Sequence, residues 1–529
     1  MPHSRQPYQY HEPERLTRGD TAKPCDDGQR RRAGRNPPST IGRGPVTRDH
    51  IVIDGSSLTC GQVAAVARDA APVRVADAAF EAARAAWRVV GEVSARRSVY
   101  GRNTGVGANR TVAVDDADAG EGHGLRLLRS HAAGAGPLLA PELARAMLVV
   151  RLNQIGAGGS GVDPALLPAL ADAVNRGFTP PVPLYGAIGT GDLTALASAG
   201  LCLLGERSWQ PGTGPPPLFP LQSADALAFM SSNAATLGES ALACCDLADL
   251  LRSTIVIAAL SLLAVRGSLE PYAEPVHLAC PHPGQQRVAA SVRALTAGES
   301  LASARVQDPY GFRAFPQVHG PAVDSAGYTD GVVARELNAA GENPLVDARR
   351  HTVWHNGNFH AAYVGLALDG ARAALFQTAA LSAARLGMLV EPSFTGLNAF
   401  QADDVTSSGI MVLEYVAQSA AADIRRFATP AALGNAVLSR GVEEHAGFST
   451  QSAHATSDAV SAYRVVLACE LVAAVRALRI QARVPAGGEL RHAYDVADAV
   501  LDPRMADRPL DGDVAAATGI LGEYAPLCP

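Results

Sequence analysis

Two tyrosines, an arginine and a hydroxyl residue set between glycines are the side chains of this chain best suited to chemistry. Tyr100 opens the run Tyr100-Gly101-Arg102-Asn103-Thr104-Gly105-Val106-Gly107. A phenol on such a flexible loop can be lowered over a pocket as an acid or a base. Tyr310 and Arg313 stand one helical turn apart in Gln307-Asp308-Pro309-Tyr310-Gly311-Phe312-Arg313. There a guanidinium can grip a carboxylate in bidentate fashion while the phenol passes a proton beside it. In Gly189-Thr190-Gly191, the two residues without Cβ let the backbone bend back on itself around a hydroxyl. The amides Asn338, Asn343, Asn356 and Asn358 cannot titrate, so any functional role for them is to orient a ligand. His355 and His360 have no acidic third ligand close by, and no metal site is expected. Each group also has a plainer reading: loop packing for Tyr100, a polar helix cap around Arg313, and helix-dipole residues for Glu443-Glu444.

The elements that must position these groups are mostly helices. The 529 residues are 47% hydrophobic but only 5% aromatic, a core of small and straight-chain side chains that favours helix. Apolar-periodic stretches at 223–266, 286–305, 359–390, 405–427 and 456–484 predict a long helical bundle, and helical pattern also covers about Thr59 to Arg96. Ile51–Gly55 reads as a short strand ending in a turn, Tyr100–Asn109 and Gln154–Gly161 as loops, and Pro180–Tyr185 as an extended approach to the Gly189 loop. The expected organisation is a Pro/Gly/Arg-rich disordered tail over 1–48, an N-terminal region over 49–222, and a helical bundle with the C-terminal region over 223–529. The tail carries ten basic residues against five acidic ones, leaving 35 against 46 in the rest, a net −11. A body this acidic offers no footprint for nucleic acid. The apolar run Ser253–Val265, bounded by arginines, is read as too short to cross a bilayer. Eight scattered cysteines without a CxxC spacing suit a reducing compartment, and a cytoplasmic enzyme is expected.

The order of the motifs says more than any one of them. Tyr-Gly-x-Asn-Thr-Gly-x-Gly is followed by Ser130-His131-Ala132-Ala133-Gly134, Arg151-x-Asn153, Gly159-Ser160-Gly161 and Gly191-Asp192-Leu193. Then come Gln307-x-x-Tyr310-x-x-Arg313, Asn343-Pro344-Leu345, Gly357-Asn358-Phe359-His360 and Glu443-Glu444-His445. From about Ile51 onward the chain resembles the aromatic amino acid ammonia-lyases and aminomutases, closest to histidine ammonia-lyase. The resemblance implies a mainly α fold, with a small mixed N-terminal region bearing the cofactor-type loop. It also implies homotetramers whose active sites draw on several subunits, acting on a small molecule without nucleic acid or membrane.

In that family the loop triad cyclises and loses two waters, giving an electrophilic methylene on an imidazolone ring (MIO). Carried over, Tyr100 is the mobile acid/base, Tyr310 a second proton-handling group and Arg313 the carboxylate anchor. Gln307, Asn343 and Phe359 line the pocket, while His131 and Glu443 select an imidazole or other basic side chain. The chain departs from the pattern twice. Thr190 stands where a Ser supplies the methylene, and Ser231, in Met230-Ser231-Ser232-Asn233, stands at the position of an assisting Asn. The expectation is an enzyme using Tyr-based acid/base chemistry without a normal MIO group. The alternatives are an active histidine-type ammonia-lyase with a Thr-derived MIO from Gly189, Thr190 and Gly191, and a non-catalytic binding subunit.

Overall fold

A computed structural model describes residues 50–114, 122–301, 303 and 305–529. The tail expected over 1–48 lies outside the described residues. Helices carry the architecture, among them α1 Pro141–Gly156, α2 Leu193–Leu203, α3 Ala234–Ala264, α4 Phe315–Leu337, α5 Ala362–Leu389, α6 Val412–Phe427 and α7 Ser449–Ile480. Strands occur only as two-stranded ribbons among the described residues. Ile51–Ile53 pairs in parallel with Val73–Val75, Ala135–Leu138 antiparallel with Pro183–Tyr185, and Leu345–Asp347 antiparallel with Thr352–Trp354. The first ribbon splits the helical run expected over 59–96 into Cys60–Asp69 and Asp77–Ser94. Val73 and Val75 are β-branched and pair with the equally branched Ile51 and Ile53.

Helix α3 threads two apolar cores. Its first half packs with Met147 and Leu148 of α1, and its second half with Val466, Leu471 and Val475 of α7 and Leu375 of α5. Apolar residues surround α3 on every side, the pattern of a helix enclosed by others. The apolar stretch ending at Ala264 proves longer than Ser253–Val265. It is long and apolar enough to cross a membrane, yet 83% of its most apolar window is buried in the protein. Inside the bundle, Arg385 of α5 grips Glu470 of α7 through Nε–Oε1 (2.6 Å) and Nη2–Oε2 (2.7 Å). Ser261 of α3 and Ser382 of α5 also donate to that carboxylate, so the buried charges are fully partnered.

Candidate active site

The strand Pro183–Tyr185 delivers the chain to the triad, and α2 carries it away. Gly189 and Gly191 take φ of +90° and +110°, the left-handed region that favours glycine. A Cβ on Gly189 would sit 2.5 Å from Ser449 Oγ, so close packing also demands a glycine there.

Four helices begin at this loop. Ala361 N–H, at the start of α5, donates to Gly189 C=O (3.1 Å), and Phe448 N–H, at the start of α7, to Ile188 C=O (2.9 Å). Asn233, at the start of α3, accepts from Gly191 N–H through Oδ1 (2.9 Å) and donates through Nδ2 to Phe359 C=O (2.6 Å). Asp192 precedes α2 and accepts from Thr236 N–H (2.7 Å) and Thr236 Oγ1 (2.9 Å). Burial pushes the Asp192 carboxyl up to about 6, and the Thr236 hydrogen bonds oppose that rise. Helix N-termini carry partial positive charge, so the triad lies in a field that stabilises developing negative charge. The half-buried Thr190 makes no hydrogen bond through its hydroxyl among the described residues.

Tyr100 and Glu443 come together at Gly107 from two separate segments. Tyr100 Oη accepts from Gly107 N–H (2.7 Å), and Tyr100 N–H donates to His355 Nε2 (3.1 Å). The next loop residue, Gly101, packs on Leu227, a few residues before Asn233. The Glu443 carboxylate lies 3.4 Å from the point a Cβ on Gly107 would occupy. Desolvation, then the Glu443 charge, raises the Tyr100 pKa and keeps the phenol protonated, while the Gly107 N–H opposes the rise. Behind Glu443, His445 Nδ1 meets His360 Nε2 at 2.9 Å, one residue beyond Phe359.

Ser231 and Asn343 also belong to this neighbourhood. Ser231 Oγ accepts from Asn343 N–H (3.2 Å), and Asn343 Oδ1 accepts from Asn356 N–H (3.0 Å). The side chain that hydrogen-bonds the triad is Asn233, two residues on from Ser231. His131 ends the helix His123–His131, with Nδ1 against Leu127 C=O (2.9 Å), four residues before the ribbon that pairs with Tyr185.

Gln307, Tyr310 and Arg313 stand apart. Gly311 C=O accepts from Arg385 Nη1 (3.4 Å), near the far end of α5, whereas the triad meets the near end at Ala361. At about 1.5 Å of rise per residue, the helix from Ala362 to Arg385 separates them by roughly 35 Å. The Arg313 guanidinium stacks 4.6 Å over the Tyr310 ring and makes no ion pair among the described residues. Its Nε is buried without a partner. A carboxylate would complete it.

The aromatic amino acid lyase model matches residues 58–499. The chain belongs to the aromatic amino acid lyase family. It is 35% identical over 504 residues to the probable histidine ammonia-lyase of Halobacterium salinarum, covering 89% of this chain and 96% of that one. Among solved structures it is similar to the ergothioneine-degrading ergothionase of Treponema denticola (TM-score 0.83, 25% identity, 90% and 99% of the two chains). The tyrosine aminomutase of Streptomyces globisporus gives a TM-score of 0.84 at 26% identity, over 90% and 98%. These relatives make the chain a lyase-type enzyme and bear out the mainly α fold and the closeness to histidine ammonia-lyase. Family members act on small amino acid substrates, and their electrophile is normally made from the protein's own residues.

Proposed function

We propose that this lyase acts on an aromatic or imidazole-bearing amino acid, or an acid derived from one, by tyrosine-based acid/base chemistry and without a normal MIO group. The observation that carries this reading is the pairing of Tyr100 with Glu443 at Gly107, in a chain whose triad has Thr190 at its centre. A carboxylate at 443 favours a ligand bearing a basic nitrogen. The phenol of Tyr100 is held in the form that donates a proton to a departing or newly formed group. Arg313, without an ion pair among the described residues, is suited to the ligand carboxylate, with Tyr310 as the second proton carrier. Those two groups would reach the triad from a neighbouring copy in a homotetramer, and a cytoplasmic setting is proposed with it. The domain division at residue 222 and the pocket roles of Gln307, Asn343, Phe359, His131 and Ser231 belong to the same proposal.

A second reading has its own support. The Gly189 carbonyl accepts from Ala361 N–H, which makes its carbon more open to attack, and Asn233 draws on the Gly191 N–H, the attacking nitrogen. The backbone therefore fits a cyclised triad, held by Asn233, Ala361 and the two glycines, with Thr190 supplying an alkylidene. When formed, the group supplies an electrophile that takes up electron density from the substrate. The extra methyl crowds the carbon to be attacked and makes it less electrophilic.

Intact and peptide mass spectrometry across 186–197 decides between the two. An unmodified mass supports the first reading, and a deficit of two waters replaces it with the second. Arg313→Ala is expected to abolish binding of carboxylate ligands with the assembly intact; unchanged affinity removes Arg313 from the site.

A further inference from the structure

We infer that Ser439 is a positioning residue for Tyr100, acting through the loop that carries it; the inference deepens the reading in which Tyr100 moves the proton. The hydroxyl of Tyr100 is fixed by Gly107 N–H, at the start of the single turn Gly107–Asn109. The next amide, Ala108 N–H, is taken by Ser439 Oγ at 3.0 Å. The same oxygen lies 2.5 Å from the point a Cβ on Gly107 would occupy, so only a glycine lets the two segments meet this closely. Ser439 thus holds the peptide next to the one that holds the phenol.

The backbone that presents Ser439 is itself unusual. Ser439, Arg440 and Gly441 take φ of +49°, +58° and +85° in succession. For residues with a Cβ this conformation is unfavourable and persists only where its surroundings impose it. Here the turn closes an isolated bridge, with Leu438 N–H donating to Glu443 C=O at 2.8 Å. One tight turn therefore carries two groups aimed at the Tyr100 loop: the Ser439 hydroxyl at its start and the Glu443 carboxylate at its end. The turn brings the acceptor for Ala108 N–H, the amide next to the one that seats the phenol, and the carboxylate suited to a basic ligand into one unit. Movement of either is felt by the other.

The test separates the acceptor from the strain. Ser439→Gly relieves the left-handed backbone but removes the oxygen, whereas Ser439→Asn tolerates that backbone and keeps an acceptor. Amide hydrogen exchange over residues 100–114 of the full-length protein is the deciding readout. Ser439→Gly is expected to exchange roughly tenfold faster there, the equivalent of one hydrogen bond, with exchange in the α5 and α7 interiors unchanged. Ser439→Asn is expected to restore protection. Wild-type exchange in the Gly variant overturns the assignment, as does failure of the Asn variant to restore it. If L-histidine or another amino acid is turned over, kcat falls in the Gly variant with KM little changed and recovers in the Asn variant. Absence of turnover in all three proteins counts against the proposed reaction alone, because the exchange result stands without it.

Discussion

Asp192 is buried deeply enough that its titration works against the folded state. Its folded pKa of about 6 lies above the ordinary carboxylate value, so between about pH 4 and 6 the folded protein holds a proton that the unfolded chain has released. Stability from this group is fullest below pH 4, falls as pH rises to 6 and is level above that. The loss is on the order of 3 kcal/mol. Asp192→Asn keeps an acceptor for Thr236 and is expected to flatten that slope in denaturant titrations at pH 4, 5 and 6; an unchanged slope removes Asp192 as its source. Thr190 is the other residue to test. If the backbone around it is competent to cyclise, Thr190→Ser should lose the mass of two waters, and an intact Ser variant would mean that the triad cannot close. Tyr100, Glu443 and the triad were legible in the sequence because residue type and motif order mark them. The contact of Asn233 with Gly191 was not read from the sequence, where Ser231 drew the attention, because only the local backbone decides which side chain of that segment reaches the triad. Ser439 left no signal, being an ordinary loop serine whose meaning comes from φ and from a segment more than three hundred residues away.

The helices divide into those whose pattern is plain and those that break it. The stretches predicted at 223–266, 359–390, 405–427 and 456–484 correspond to α3, α5, α6 and α7, because unbroken apolar periodicity is what a bundle interior requires. Helix α4 went unread, since Pro316, Gly320, Pro321, Gly327 and Gly331 lie within it. One of those glycines has a packing use: Gly320 meets the backbone of Gly284 and Gln285, where a Cβ would lie 2.5 Å from the Gln285 nitrogen. Loop glycines at 154–161 likewise hid the end of α1, which runs to Gly156. Helix packing itself is tested at Arg385. Arg385→Met leaves Glu470 buried without its partner and should lower stability by about 3–5 kcal/mol in chemical denaturation. Pairing it with Glu470→Leu should recover most of that loss, and a single variant as stable as wild type would show that water reaches the carboxylate.

For the molecule as a whole, the length of α5 separates two of the candidate groups. Tyr100 gathers near one end of that helix and Arg313 near the other, too far apart to meet on one ligand within a chain. If both serve the same ligand, Tyr100→Phe and Arg313→Ala subunits should be inactive separately and recover activity when co-expressed, because some mixed sites then hold both wild-type groups. No recovery in verified mixed assemblies would place the two residues in separate sites.

The convergence of four helix starts on one loop has a consequence of its own. The attraction it exerts on electron-rich groups comes from peptide bonds, which do not titrate; the Asp192 carboxylate set against it loses its charge below about pH 6. Single substitutions cannot delete the attraction. A descendant of this scaffold could exchange its warhead, its tyrosines or its preferred ligand and still offer an anion-friendly floor, leaving room for chemistry to change above it.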